Sequence, residues 1–352
     1  MRYVLSLAAA LMTLSTVSHA GNYSYNDCHV HVVNFMQQGE GLDALLKSMD
    51  ENNINHAMIT GIGVMKKWAE TEPQKPKYYL SDAAPVYWYS GTDYRLLNEY
   101  KSLKEEDQKR LHPFITGFNP TDLNAAAQLE QMIKTDPKVW QGVGEVFTRH
   151  DDLSAITEGE TPRANHQALK KLYKMAGKYD LPVLLHSNLT SKRDKGWLYL
   201  EELEDALESA PETRFILAHA GTSGTLHRWQ THEDLNKLID KLLTKYDNLW
   251  IDMSWSVLEP YITESETPGI DVDRGKTRKG VSINWMHLLE KYPDRFMIGS
   301  DVVGKYKSQG KILHDFDELF DHLKPETVKK VAEENFLSIL PKWRQEELKN
   351  SQ

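Results

Sequence analysis

The stretch LPVLLHS (181–187) runs a short apolar segment into His186, and RFILAHA (214–220) repeats the arrangement, ending near His219. Between them lies LEELEDALESA (200–210), whose apolar positions recur at helical spacing. The two histidines are 33 residues apart, the length expected of one strand–helix–strand step. Similar apolar runs appear on either side: Tyr25–Val33, HAMITGI (56–62), HPFITGF (112–118), GVGEVF (142–147), LWIDMSW (249–255) and RFMIGSD (295–301). Helical patterns separate most of them, among them GEGLDALLKSMDENN with Leu42, Leu45, Leu46 and Met49 on one face, and NHQALKKLYKMAGKY (165–179). Eight strands alternating with helices predict an α/β fold, a (β/α)8 TIM barrel. Two connections are too long for ordinary turns. Residues 64–111 and 256–284 read as insertions after strands 2 and 7, on the face where barrel strands end.

Around this framework the chain has ordinary composition. Of its 352 residues 40% are hydrophobic and 26% charged, enough for a large core. The formal charge of −9 argues against a nucleic-acid partner. A single cysteine, Cys28, excludes an intrachain disulfide framework and a cysteine zinc cluster. Residues 1–20 have an early Arg2, an apolar run and Ser18-His19-Ala20, the layout of a signal peptide cleaved near Ala20–Gly21. The expectation is a periplasmic or secreted protein without a membrane segment in its mature form. Residues 21–352 then form a single barrel domain. Leu340 and Trp343, near the C-terminus, are candidates to cover the barrel or to form the contact of a homo-oligomer.

Several predicted strands end in a residue able to hold a metal ion: His29 and His31 in DCHVH (27–31), Glu145, His186, His219 and Asp301. Histidines at i and i+2 on a strand share a face, and the C-terminal ends of barrel strands converge on one pocket. Each residue has a plain alternative. Glu145 can pair with Arg149, the histidines can be satisfied core residues, and Asp301 can cap a turn. Together they predict a site for one or two divalent ions, zinc being the expected metal. Such an ion lowers the pKa of bound water, and Asp301 beside it is the candidate general acid/base. Arg149, Lys192 and Arg193 are candidates to meet a substrate carboxylate or phosphate, with Trp255 as an apolar wall.

The motifs DCHVH, GVGEV (142–146), LPVLLHS, LAHAG (217–221), IGSD (298–301) and ENFLSILP (334–341) resemble the amidohydrolase superfamily, and within it the amidohydrolase-related branch of TIM-barrel metal-dependent hydrolases. The resemblance implies that His29, His31, His186, His219 and Asp301 match the metal ligands of strands 1, 5, 6 and 8. Strand 4 departs from many two-metal members by carrying Glu145 where they have a lysine. The implied chemistry is hydrolysis of a small ester, lactone, amide or phosphoester. The alternative is non-oxidative decarboxylation of a small carboxylic acid on one ion, with His219 catalytic. A carboxylate ending strand 4 suits a bridged pair of ions and favours hydrolysis. A non-catalytic binding barrel, using the metal site structurally or not at all, would be expected to have lost at least one of the six candidate ligands, and a two-carboxylate glycosidase would leave four histidines unexplained.

Overall fold

The computed structural model describes residues 23–191, 196–222, 230–255, 257, 262 and 281–350. The expected signal peptide, Lys192, Arg193 and most of the insertion at 256–284 lie outside these residues.

The strands are β1 (Tyr25–His31), β2 (Ile54–Thr60), β3 (Val64–Lys66), β4 (Val86–Trp88), β5 (Leu111–Ile115), β6 (Gly142–Phe147), β7 (Val183–His186), β8 (Phe215–Leu217), β9 (Leu249–Asp252), β10 (Phe296–Met297) and β11 (Val302–Val303). Nine of them form one sheet in the order β10-β9-β8-β7-β6-β5-β2-β1-β11, with every pairing parallel. The eighth barrel strand is split: β10 pairs with β9, and β11 pairs with β1. Backbone hydrogen bonds from Cys28 N–H to the Ile298 carbonyl and from Asp301 N–H to the His29 carbonyl bridge the break and close the ring. A closed parallel barrel leaves no edge exposed and buries both faces of its strands, which is why the strands read as continuous apolar runs.

Inside the ring, Cys28, Met58, Phe114, Leu184, Ile216 and Met297 meet in one cluster. Phe336, Ile339 and Leu340 join it, so Leu340 covers the barrel floor, as one of its two expected roles required. Outside, helices lay their apolar stripes on the strands. The helix Leu42–Glu51 buries Leu42, Leu45, Leu46 and Met49, and the helix Gln167–Lys178 buries Leu169, Leu172 and Tyr173. Each large apolar side chain so buried contributes about 1.5–3 kcal/mol. No helix of the described residues is long and apolar enough to cross a membrane.

The connection after β2 is more regular than its prolines suggested. β3 and β4 form an antiparallel hairpin, and the helix Gly91–Ser102 follows. The buried ammonium of Lys66 binds the Asp82 carboxylate at 2.9 Å and the backbone carbonyls of Asp82 and Ala84, tying down both ends of the hairpin's loop. The buried Asp93 accepts N–H bonds from Thr116 and Gly117 and so fastens the helix to the end of β5.

At the opposite, N-terminal end of the strands, His112 Nδ1 lies 2.6 Å from Gln141 Oε1, and His112 Nε2 lies 3.1 Å from His56 Nδ1. The chain of bonds works with both rings neutral: His56 donates to His112, which donates to Gln141. Burial, with Arg344 and Arg110 nearby, pulls His56 down to about 4 from its ordinary 6.5. The unfolded chain therefore takes up this proton below about 6.5 while the folded chain resists until about 4. Stability from this pair is present above 6.5 and falls as pH drops through that window. Urea unfolding at pH 7.5 and pH 5 should show a larger loss for the parent than for His56→Asn; equal losses would remove the pair from the account.

Candidate metal centre

The six expected ligands come together at the C-terminal end of the barrel. His29 and His31 leave the end of β1, Glu145 lies in β6, and His186 ends β7. His219 and Asp301 sit just past β8 and β10, both with left-handed backbone (φ 53° and 52°), a conformation unfavourable for residues other than glycine and concentrated at functional sites. Gly299 permits the close approach of the eighth strand to the first: a Cβ there would lie 2.9 Å from the His29 Cβ. The Thr60 and Thr116 hydroxyls donate to the carbonyls of Gly144 and Glu145, both at 2.6 Å, and fix the backbone that carries the carboxylate.

Two donor sets share Glu145. In the first, His29 Nε2 and His31 Nε2 are 3.2 Å apart, and Glu145 Oε2 is 3.6 and 3.2 Å from them. Asp301 Oδ1 completes the set at 3.6 and 3.4 Å from the same two nitrogens. With metal–ligand bonds of roughly 2.0–2.2 Å, the corners of a tetrahedron lie about 3.3–3.6 Å apart. These five separations, 3.2–3.6 Å, lie close to that range. In the second, Glu145 Oε1 lies 2.9 Å from His186 Nδ1 and 3.3 Å from His219 Nε2, with Asp301 Oδ2 3.8 Å from His219.

Each imidazole has its outer nitrogen satisfied by an oxygen, which turns the other nitrogen's lone pair to the centre. His31 Nδ1 donates to the Gly61 carbonyl (2.7 Å), and His186 Nε2 to Asn188 Oδ1 (3.2 Å). His29 Nδ1 donates to Asp252 Oδ2 at 2.8 Å. His219 Nδ1 donates to Ser254 Oγ (2.9 Å), whose own proton goes to Asp252 Oδ2 (2.7 Å). Four lone pairs and the shared carboxylates of Glu145 and Asp301 fit one or two divalent cations.

The electrostatics agree. Burial opposes charge throughout, yet His29 and His186 hold Glu145 well below the usual carboxylate range. Burial likewise pulls His31 down, and hydrogen bonds to Asp301 and Glu145 outweigh it, raising the ring to about 9. His29 is raised well above its ordinary value by Asp301 and Glu145 against the same burial. Three buried or nearly buried carboxylates around four imidazoles favour positive charge at the centre.

Asp252 is a residue that sequence reasoning passed over, although it ends β9 as His31 and His186 end β1 and β7. It serves two histidines from behind, one directly and one through Ser254. Asp252→Ala should weaken zinc binding by about 10–100-fold, measured by competition with a chromogenic chelator; unchanged affinity would make the relay irrelevant to the metal.

A cavity of about 320 Å³ opens over the cluster. Its wall includes Glu145, Asp301, Phe147, His150, Tyr78, Tyr79, Trp255, Lys77 and Lys305. Trp255, the candidate apolar wall, lines this cavity with its ring 5.2 Å from that of His219. Arg149 does not. Its guanidinium makes a two-point pair with Glu202 (2.9 and 2.6 Å) and lies over the Tyr199 ring at 4.3 Å, so its donors are engaged away from the cavity. Lys77 and Lys305, which the sequence did not single out, are the cations that line the cavity among the described residues.

A metal-binding barrel with this donor set defines a class, and comparison with known proteins supplies its family. The amidohydrolase family profile matches residues 26–336, and the chain belongs to that family of metal-dependent enzymes. Among solved structures, the fold is similar to an amidohydrolase from Burkholderia multivorans with bound zinc (13% identity, TM-score 0.53, covering 91% of this chain and 100% of that one). It is also similar to dihydroorotase from Campylobacter jejuni (13%, 0.50, 90% and 82%) and to 2,6-dihydroxybenzoate decarboxylase from Rhizobium (13%, 0.50, 90% and 98%). No curated protein matches the chain in sequence.

Proposed function

We propose that the protein is an exported hydrolase of a small ester, lactone, amide or phosphoester, working with two divalent ions, zinc the expected occupant, that Glu145 would hold together with His29, His31, His186, His219 and Asp301. The observation that carries this reading is the division of one carboxylate: Oε2 faces His29 and His31, and Oε1 faces His186 and His219. When bound, such ions lower the pKa of water and polarise the oxygen of the bond under attack. The rest falls to the chain. Asp301, with one oxygen toward each donor set and 13% of its side chain exposed, is placed to take the attacking water's proton and pass it to the leaving group. Lys77 and Lys305 take over the role first given to Arg149, meeting an anionic group on the substrate, and Trp255 and Tyr78 form flat walls for its apolar part.

Metal content per chain, on protein purified without chelator, tests the proposal. Two ions are expected, after which lactones, esters and phosphoesters are the substrates to screen. A single ion after reloading would sink the bridged pair and turn the search to decarboxylation, with His219 as the residue to probe.

A further inference from the structure

His150 belongs to neither donor set, and its ring is held on several sides. It stacks on His186 with centroids 4.4 Å apart and planes at 16°, and its edges meet Phe147 at 6.0 Å and Tyr79 at 6.1 Å. Its backbone is pinned at the start of the helix Asp151–Ile156, where its N–H donates to Ser154 Oγ at 2.8 Å. The residue is 8% exposed, and that exposure is to the cavity it lines.

Its two nitrogens differ. Nδ1 is buried without a hydrogen-bond partner, which leaves Nε2 as the polar atom directed at the cavity. An N–H on Nδ1 would find no acceptor beyond the carbonyl of its own residue, and a proton on Nε2, facing the cavity, is the tautomer on which the inference rests. We infer that His150 is a substrate-contacting residue whose Nε2–H donates to an oxygen of the bound substrate beside the His186–His219 set. The ring's stacking holds the donor's direction before substrate arrives, so little freedom is lost on binding. The identity of that oxygen, carbonyl or phosphoryl, rests on the hydrolytic reading; the donor itself does not.

The test uses the zinc-loaded protein and needs no turnover. Histidine side chains labelled with ¹⁵N, with the His150 signals identified by their loss in His150→Phe, should report the Nε2–H tautomer. Inorganic phosphate, titrated calorimetrically, is the probe for an accepting oxygen. His150→Phe keeps a flat ring against His186 but has no donor, and should weaken phosphate by about 10–100-fold with metal content unchanged. His150→Gln, which keeps an N–H, should recover most of that affinity. A proton on Nδ1, equal phosphate affinity in parent and His150→Phe, or equal loss in both variants would overturn the assignment and leave His150 as packing for His186. A parent that holds a single ion would instead strike the two-ion reading, which metal analysis of the same preparation measures separately.

Discussion

Glu145→Ala is expected to leave a folded barrel that holds one ion or none and has lost turnover on the order of a thousandfold or more, since a metal ion supplies several kcal/mol of transition-state stabilisation and each 1.4 kcal/mol is about tenfold. Glu145 is 2% exposed, and its two oxygens each lie within 3.6 Å of two histidine nitrogens. Removing it withdraws a ligand from both sets at once. It also removes the negative charge that raises His29 and His31, so the remaining rings accept a second positive charge less readily. The backbone hydrogen bonds of Thr60 and Thr116 go to carbonyl groups and survive the change, which is why the fold should persist. Metal analysis and circular dichroism on the same preparation check both halves. Full metal content in the variant would place Glu145 outside the ligand set and return it to being a buried ion-pair partner of the histidines.

The parts of this centre that could be read from the sequence are those where one strand speaks for itself. An apolar run ending in His or Asp states both the strand and the end at which its candidate ligand sits, and the positions of His31, His186, His219 and Asp301 agree with that. What needed coordinates were the relations between distant segments. Arg149 stands four residues after Glu145, but its direction is decided by Glu202, 53 positions away, and by Tyr199. The eighth strand reads as one run from 295 to 301, yet it breaks where Gly299 passes His29 and where Asp301 turns left-handed. β3 and β4 are three residues each, too short to announce themselves among prolines and tyrosines. His150 carries no signal of its own, because its place depends on rings from β6, β7 and the loop after β3. Asp252 was legible by the rule used for the others: a carboxylate ends the run LWID.

Asp301→Asn is the change that separates chemistry from metal binding. Asparagine retains one oxygen, which can remain near His31 and His29, where Oδ1 now sits at 3.4 and 3.6 Å. The N–H bond from the Asp301 backbone to the His29 carbonyl is untouched, and asparagine tolerates the left-handed backbone as well as aspartate does. Geometry and metal content should therefore stay close to the parent's. What disappears is a carboxylate able to accept a proton on one side of the site and release it on the other. General acid–base groups typically contribute about 10²–10⁴-fold, and a loss of that size in kcat is expected on whichever ester, lactone or phosphoester the parent turns over. Because the defect lies in proton transfer, it should shrink for substrates with acidic leaving groups such as 4-nitrophenol, which depart without a proton. A uniform loss across leaving groups, accompanied by loss of metal, would make Asp301 a ligand alone and require another residue of the cavity to carry the proton.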